Sequence, residues 1–193
     1  MKFDICNRYT GKVQFTAEID CKPNASFGDK MGFAIMWAVA NGADLSDAII
    51  PRANLAGANL TGAHLPRAVL FGANLDGANL FGANLAGAYL SGAYLSGANL
   101  SRANLSGAKL AGAHGVNKYI KSMHIDGYSI AYTADVLQIW CENHTISDWR
   151  GFDDKRIFQM EGAAALKFWR KHKDLIFQTI ELCPAEPTME EME

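Results

Sequence analysis

The sequence predicts a mainly β fold. A coiled column, residues 43–115, stands between an N-terminal hairpin and helix, residues 1–42, and a C-terminal α+β segment, residues 116–193. Three observations predict it. Alanine recurs at every fifth residue from Ala43 to Ala113. Leucine follows two places later, from Leu45 to Leu110, with Ile50 as the single substitute. On either side the period vanishes and turn residues separate short apolar runs, Tyr9-Thr10-Gly11 before the column and Asp126-Gly127 after it.

Residues 3–19 read as a hairpin, with Gly11 suited to the left-handed position of a three-residue loop. That register pairs Ile5 with Phe15 and Phe3 with Ala17, and it places Cys6 opposite Gln14, so no Cys6–Cys21 disulfide follows. Ser26, three residues before Asp29, marks a helix start, and Asn41-Gly42 marks its stop. Between them Phe27, Met31, Ala34, Ile35 and Ala38 share one helical face. An open column exposes its core and strand edges, so this helix is expected to lid the first coil.

A five-residue period excludes both regular elements. On an α-helix at about 100° per residue, five residues advance about 140°, so the leucines would wander over every face. In a flat strand an odd period sends alternate leucines to opposite sides. A chain that bends once per five residues keeps Ala and Leu inside. Glycine, the usual fifth residue, takes the positive φ of each bend without steric cost. The asparagines between Ala and Leu (Asn54, Asn59, Asn74, Asn79, Asn84, Asn99, Asn104) are expected to bond backbone at the corners.

After Gly115 the pattern becomes a β-meander. Asp126-Gly127 pairs Met123 with Ile130 and Ile125 with Tyr128, and a third strand runs from Val136 to Cys141. From Gly162 to Leu182, Ala165, Phe168, Trp169, Leu175, Ile176 and Ile180 form a helical apolar stripe that stops before Pro184.

Fifteen unbroken five-residue repeats, with A-N-L-x-G the commonest form and A-D-L-x-x the first, resemble the pentapeptide-repeat family. The resemblance implies a right-handed quadrilateral β-helix with four repeats per coil and just under four coils, flanked by an N-terminal hairpin-plus-helix cap and a C-terminal meander with helices. The segments Phe3-Asp4-Ile5-Cys6-Asn7-Arg8, Val13-Gln14-Phe15-Thr16-Ala17-Glu18-Ile19 and Ala165-Leu166-Lys167-Phe168-Trp169-Arg170 resemble those flanking the repeats in phage and prophage proteins. The family's best-known role is protection of DNA gyrase by a long acidic β-helix that imitates duplex DNA. Here Asp44, Asp47 and Asp76 stand against Arg52, Arg67, Arg102 and Lys109, which departs from a polyanion.

Four repeats per coil put Ile49, Val69, Tyr89 and Lys109 on one face, with Phe71 beside them. Phe81 and Tyr94 fall on neighbouring faces. These six apolar residues, Ile49, Val69, Phe71, Tyr89, Phe81 and Tyr94, form the candidate interaction surface. The strip is expected to be covered by the chain's own ends or by a second copy. The homodimer is the preferred cover, because the ends already have coil termini to seal and two-fold pairs are the commonest assembly.

The remaining chemistry is sparse. The chain has 193 residues, 49% of them hydrophobic, and 18 Lys and Arg against 20 Asp and Glu. No global field draws in nucleic acid, which is not an expected partner. The three segments carry +1, +1 and −4, and the acidic excess lies at Glu186, Glu190, Glu191 and Glu193, read as a solvated end. No run is long enough to span a bilayer, Met1 to Thr10 has no apolar run behind a basic stretch, and four spread cysteines fit free thiols, so a bacterial cytoplasmic location is expected.

Cys141-Glu142-Asn143-His144 with His172 and Cys183 could hold zinc only if the second pair had ligand spacing, which it lacks. A Cys141–His144 nucleophile lacks an orienting third group. Lys167, Arg170, Lys171 and Lys173 read as the wet face of a helix. No cofactor, metal or catalytic residue is expected. The function implied is non-catalytic binding to a host protein by a phage or prophage factor, for example one that blocks a CRISPR effector. A gyrase-directed DNA mimic and an assembly component are the alternatives.

Overall fold

The structure, a computed structural model, describes residues 1–115, 118–139 and 142–188. Strands β1 (Lys2–Asn7) and β2 (Val13–Glu18) pair antiparallel, with Phe3 opposite Ala17 and Ile5 opposite Phe15. Beyond Ile5 the register slips by a bulge, and Cys6 faces Val13 instead of Gln14. The slip has a cause in the column. The Gln14 side-chain amide donates to the carbonyls of Asp44 and Ser46, both at 2.9 Å, and so leaves the hairpin's own register.

Helix α1 (Phe27–Ala40) starts at Ser26, whose Oγ accepts from the Asp29 amide, and ends at Asn41 before Gly42 at φ 66°. Met31, Ala34, Ile35 and Ala38 are buried in one core with the column's first leucines. Phe27, expected on that face, is 60% exposed and tilts against Phe3 at 5.8 Å, while the helix backbone lies close against the first coil. Two glycines allow this approach. A Cβ at Gly32 would lie 2.0 Å from the Asn54 carbonyl oxygen, and one at Gly28 would lie 2.6 Å from that of Arg52.

Within the column, parallel bridges join residues twenty apart, such as Ile49 to Val69 to Tyr89 to Lys109 and Asn59 to Asn79 to Asn99. Each rung is closed by paired bonds: Leu60 N–H donates to Asn79 O at 2.8 Å, and Asn79 N–H to Ala58 O at 2.9 Å. The corners are tight turns with a left-handed residue, as where Ala58 N–H donates to Leu55 O with Gly57 at φ 66°. Asn59, Asn74, Asn79, Asn84, Asn99 and Asn104 each accept, through Oδ1, the amide two residues ahead. From Leu45 to Ala113 the alanine and leucine columns of the repeat are buried, and Ala43 is partly so. Asp47, Arg52, Arg67 and Arg102 hold the glycine position at φ 54–60°, a left-handed conformation costing about 1–2 kcal/mol for a residue with a Cβ.

Both open edges of the column find substitutes for a missing coil. In later coils an amide such as Asn74 N–H reaches the carbonyl of the coil above, but Asn54 N–H has none and donates to Gly28 O of α1 at 2.9 Å. Strand β3 (Ala48–Ile49) pairs antiparallel with β1, Cys6 opposite Ile49, which makes a sheet of order β2-β1-β3. At the lower edge Leu110 N–H donates to the Gln138 side chain, Asn143 Nδ2 donates to Ala108 O at 2.7 Å, and Arg102 N–H donates to Thr188 O.

The C-terminal sheet has order β4-β5-β6-β7, with β4 (Lys121–Ile125), β5 (Tyr128–Tyr132), β6 (Val136–Ile139) and β7 (Glu142–Thr145). Asp126 at φ 47° and Gly127 at φ 85° form the turn that pairs Met123 with Ile130 and Ile125 with Tyr128. Strand β7 and the short helix α2 (Ile146–Gly151), opened by a Thr145–Asp148 capping box, are absent from the sequence reading. Helix α3 (Asp154–Leu182) breaks at Glu161 and Gly162, and its later part buries Phe168, Trp169, His172, Ile176 and Ile180 against Leu137, Ile139 and Trp149. Leu175 is 50% exposed, not on the stripe, because the buried line runs through His172 at four-residue spacing. Glu186, read as part of a loose end, is pinned to Lys118 at 2.7 Å, and residues 189–193 lie outside those described.

Candidate interaction face

The ladder places Ile49, Val69, Tyr89 and Lys109 on consecutive rungs of one face, with Phe71 at its edge, 50% exposed. At about 4.8 Å per rung, these four positions span about 14 Å. Ile49 is exposed, while Val69 and Tyr89 are half-buried. Part of that burial comes from the hairpin. Arg8 follows β1, its N–H donates to Asp47 O at 2.9 Å, and its guanidinium lies 4.2 Å from the Tyr89 ring centre and 4.9 Å from that of Tyr9. The chain's own N-terminal segment therefore covers one side of the strip.

Tyr94 and Phe81 do not join this face. Tyr94 lies on the next face, 48% exposed, stacked on His114 at 5.2 Å. Phe81 sits at the corner shared with Arg102, whose guanidinium is 5.5 Å from its ring centre. The structure thus brings together Ile49, Val69, Tyr89 and Phe71, and separates the other two.

Charge frames the strip unevenly. Arg52 and Arg67 occupy corners on its two sides, Lys109 its lowest rung, and the Arg8 guanidinium its flank beside Tyr89. Arg67 is held bidentate by Asp47, Nε to Oδ1 at 2.9 Å and Nη2 to Oδ2 at 2.7 Å, which raises the guanidinium pKa above its ordinary value. Arg8, Arg52 and Lys109 have no carboxylate partner among the described residues.

Elsewhere several polar groups are engaged with one another. His144 Nε2 meets Glu142 at 3.0 Å, with its ring edge-on to Phe152. His172 Nε2 meets Asp126 at 2.8 Å, and Cys183 is exposed and free. Cys141 lies outside the described residues, and among those described no group of three or more His, Cys, Asp or Glu is placed to hold a metal. Of the helix cations, Arg170 pairs with Asp154 and Lys171 with Asp126. A cavity among Tyr128, Trp149, Ile157, Phe168 and Trp169 measures about 30 Å³, room for little beyond a water molecule. No helix among the described residues is long and apolar enough to cross a membrane.

A family model described as pentapeptide repeats matches residues 41–77, 52–85 and 78–114, with eight copies. Residues 41–114 match this model. A right-handed β-helix goes with such repeats. Solved pentapeptide-repeat structures are similar over the same share of the chain. A protein of the Arabidopsis thaliana thylakoid lumen is 35% identical over 38% of this chain and 55% of its own, with a TM-score of 0.25. HetL, involved in heterocyst differentiation regulation in the cyanobacterium Nostoc sp. strain PCC 7120, is 41% identical over 38% of this chain and 34% of its own, with a TM-score of 0.28. A third, alr5209 from Nostoc PCC 7120, is 44% identical over 38% and 64%, with a TM-score of 0.21. The match therefore spans 34–64% of the length of these three proteins. No curated protein matches.

Sequence reasoning found the stacked strip but missed Arg8. No periodic signal links a hairpin residue to Tyr89. The only clue was that the first coil needed something on its open edge.

Proposed function

We propose that this protein is a non-catalytic interaction factor whose pentapeptide-repeat column presents the Val69 face to a partner. The reading rests on one observation: a rigid, hydrogen-bonded ladder carries Ile49, Val69, Tyr89 and Phe71 on one side, with the remaining outward positions mainly polar. The polar clusters of the C-terminal segment are internally paired, which leaves binding as the chemistry the surface offers.

The flanks resembling phage and prophage proteins extend the proposal to an accessory factor acting in a bacterial cytoplasm. Its target is a host protein, for example a defence enzyme such as a CRISPR effector. Gyrase mimicry is disfavoured by the cations around the strip.

The test compares wild type with Val69→Glu by affinity capture from bacterial lysate, beside thermal melting and sedimentation. The expected outcome is capture by wild type, loss of capture by Val69→Glu, and melting temperatures within a few degrees. A wild-type dimer that Val69→Glu dissociates identifies a second copy as the occupant. A Val69→Glu protein melting far below wild type makes the strip internal and ends the proposal.

A further inference from the structure

We infer that the Val69 face receives an acidic polypeptide segment bearing an apolar or aromatic side chain. This rests on the reading of that face as the interaction surface and adds the chemistry of its occupant. The whole chain carries a net charge of −2, yet Arg8, Arg52, Arg67 and Lys109 gather around this one strip. Two acids lie near them: Asp47, with both oxygens committed to Arg67, and Asp44 beyond that corner, which accepts from Ser46 and faces His64.

The arginines are also placed for carboxylates. Tyr9 and Tyr89 lie against the Arg8 guanidinium, and one of its nitrogens touches the Arg67 carbonyl at 3.4 Å. Those contacts engage one guanidinium nitrogen in a hydrogen bond, and its other N–H groups are of the kind that fork onto a carboxylate. Arg52 holds a left-handed corner at φ 54°, where the repeat's usual glycine would be unstrained. Top to bottom, the strip matches about four or five residues of extended chain at about 3.3 Å each. Acidic side chains at both ends of such a segment would meet Arg52 above and Arg8 or Lys109 below, with an apolar side chain over Val69 between them.

The same charges weigh against a second copy. A two-fold pair through this face sets one protomer's unpaired cations against those of the other, and like charges across an interface oppose association. A partner with acidic groups meets no such opposition.

The experiment pans a displayed library of random peptides of about 12 residues against the full-length protein. The double variant Arg52→Gly with Lys109→Asn serves for counter-selection. Both replacements are the repeat's own usual residues at those positions, so the column keeps its ladder. Enriched peptides are expected to be net negative with at least one aromatic or large apolar residue. A synthetic peptide from the set should bind the double variant at least about tenfold more weakly, bind Lys167→Glu on the remote helix unchanged, and weaken as salt rises.

Neutral or basic peptides that still require Val69 overturn the acidic assignment while leaving the face as an interaction surface. Peptides indifferent to both Val69→Glu and the double variant remove the face itself. Failure to enrich any peptide overturns the inference. So does tighter binding of a thymidine oligonucleotide to the same face, and so does a wild-type dimer that Val69→Glu dissociates.

Discussion

Gln138→Leu tests how the column's lower edge is sealed. Leu110 lies in the last coil, where no further rung exists to take its amide, and the buried Gln138 side chain accepts that N–H. In the coil above, Leu90 N–H donates to the Lys109 carbonyl at 2.8 Å, so one side-chain oxygen replaces one rung. Leucine fills similar space but accepts nothing. A buried amide left without a partner costs about 1–3 kcal/mol, and for a chain of this size each kcal/mol lowers the melting temperature by about 2–4 °C. The expected loss is therefore about 2–12 °C. Amide hydrogen exchange followed residue by residue localises it. Leu110 should exchange at least about tenfold faster in the variant, an increase that corresponds to about 1.4 kcal/mol, while Leu90 keeps its relative protection. If Leu110 stays as protected as in wild type, Gln138 is not the seal and the account of this edge fails.

Leu80, fully buried at mid-column, should lose about 2–5 kcal/mol as Leu80→Ala, because the rung bonds hold the cavity open; Ser106→Ala on an exposed corner should lose under about 0.5 kcal/mol, and equal melting shifts would contradict the register. Gly32→Ala sets a methyl group against the Asn54 carbonyl, and overpacking of this kind costs about 1–3 kcal/mol; melting no lower than wild type would show that α1 does not bear on the first coil. Asp126 has its pKa lowered chiefly by the hydrogen bond from Lys171, then by that from His172. A depressed folded pKa gives stability that is present above the ordinary aspartate value of 3.8 and is lost as pH falls through the folded value. Asp126→Asn should accordingly be less stable than wild type in urea melts near neutral pH and indistinguishable from it in strong acid; a gap that persists in acid would assign the loss to the turn and not to the charge.

The parts legible in the sequence were those repeated or punctuated. The alanine and leucine columns declared an inside at a period that neither helix nor strand can use, and Asp126-Gly127 set its hairpin register residue by residue. What escaped was whatever depends on two segments meeting. Glu142-Asn143-His144-Thr145 lacks alternating apolar residues and read as possible ligand chemistry. It is strand β7, in which Asn143 serves the column and His144 packs against Phe152. Gln138 stood in an apolar run with no visible purpose until Leu110 lay beneath it. Asp76, which reads as a free outward residue, accepts the Ser96 amide at 2.8 Å across one rung. Nothing in the helix pattern singles out Gly28 and Gly32, and their meaning is the backbone pressed against them.

The twenty-residue ladder also restricts how this molecule can change length. Adding a single pentapeptide between Val69 and Tyr89 would leave every corner and every buried leucine acceptable, yet everything below would rotate by a quarter turn. Tyr89 would pass to the adjacent side, away from Arg8, and Lys109 would leave the line it shares with Ile49. The interior is indifferent to additions of five, whereas the exterior is conserved only by additions of twenty. Descent by duplication of single repeats would therefore preserve the scaffold while shuffling its surface, and a lineage under selection for this strip should vary in length by whole coils.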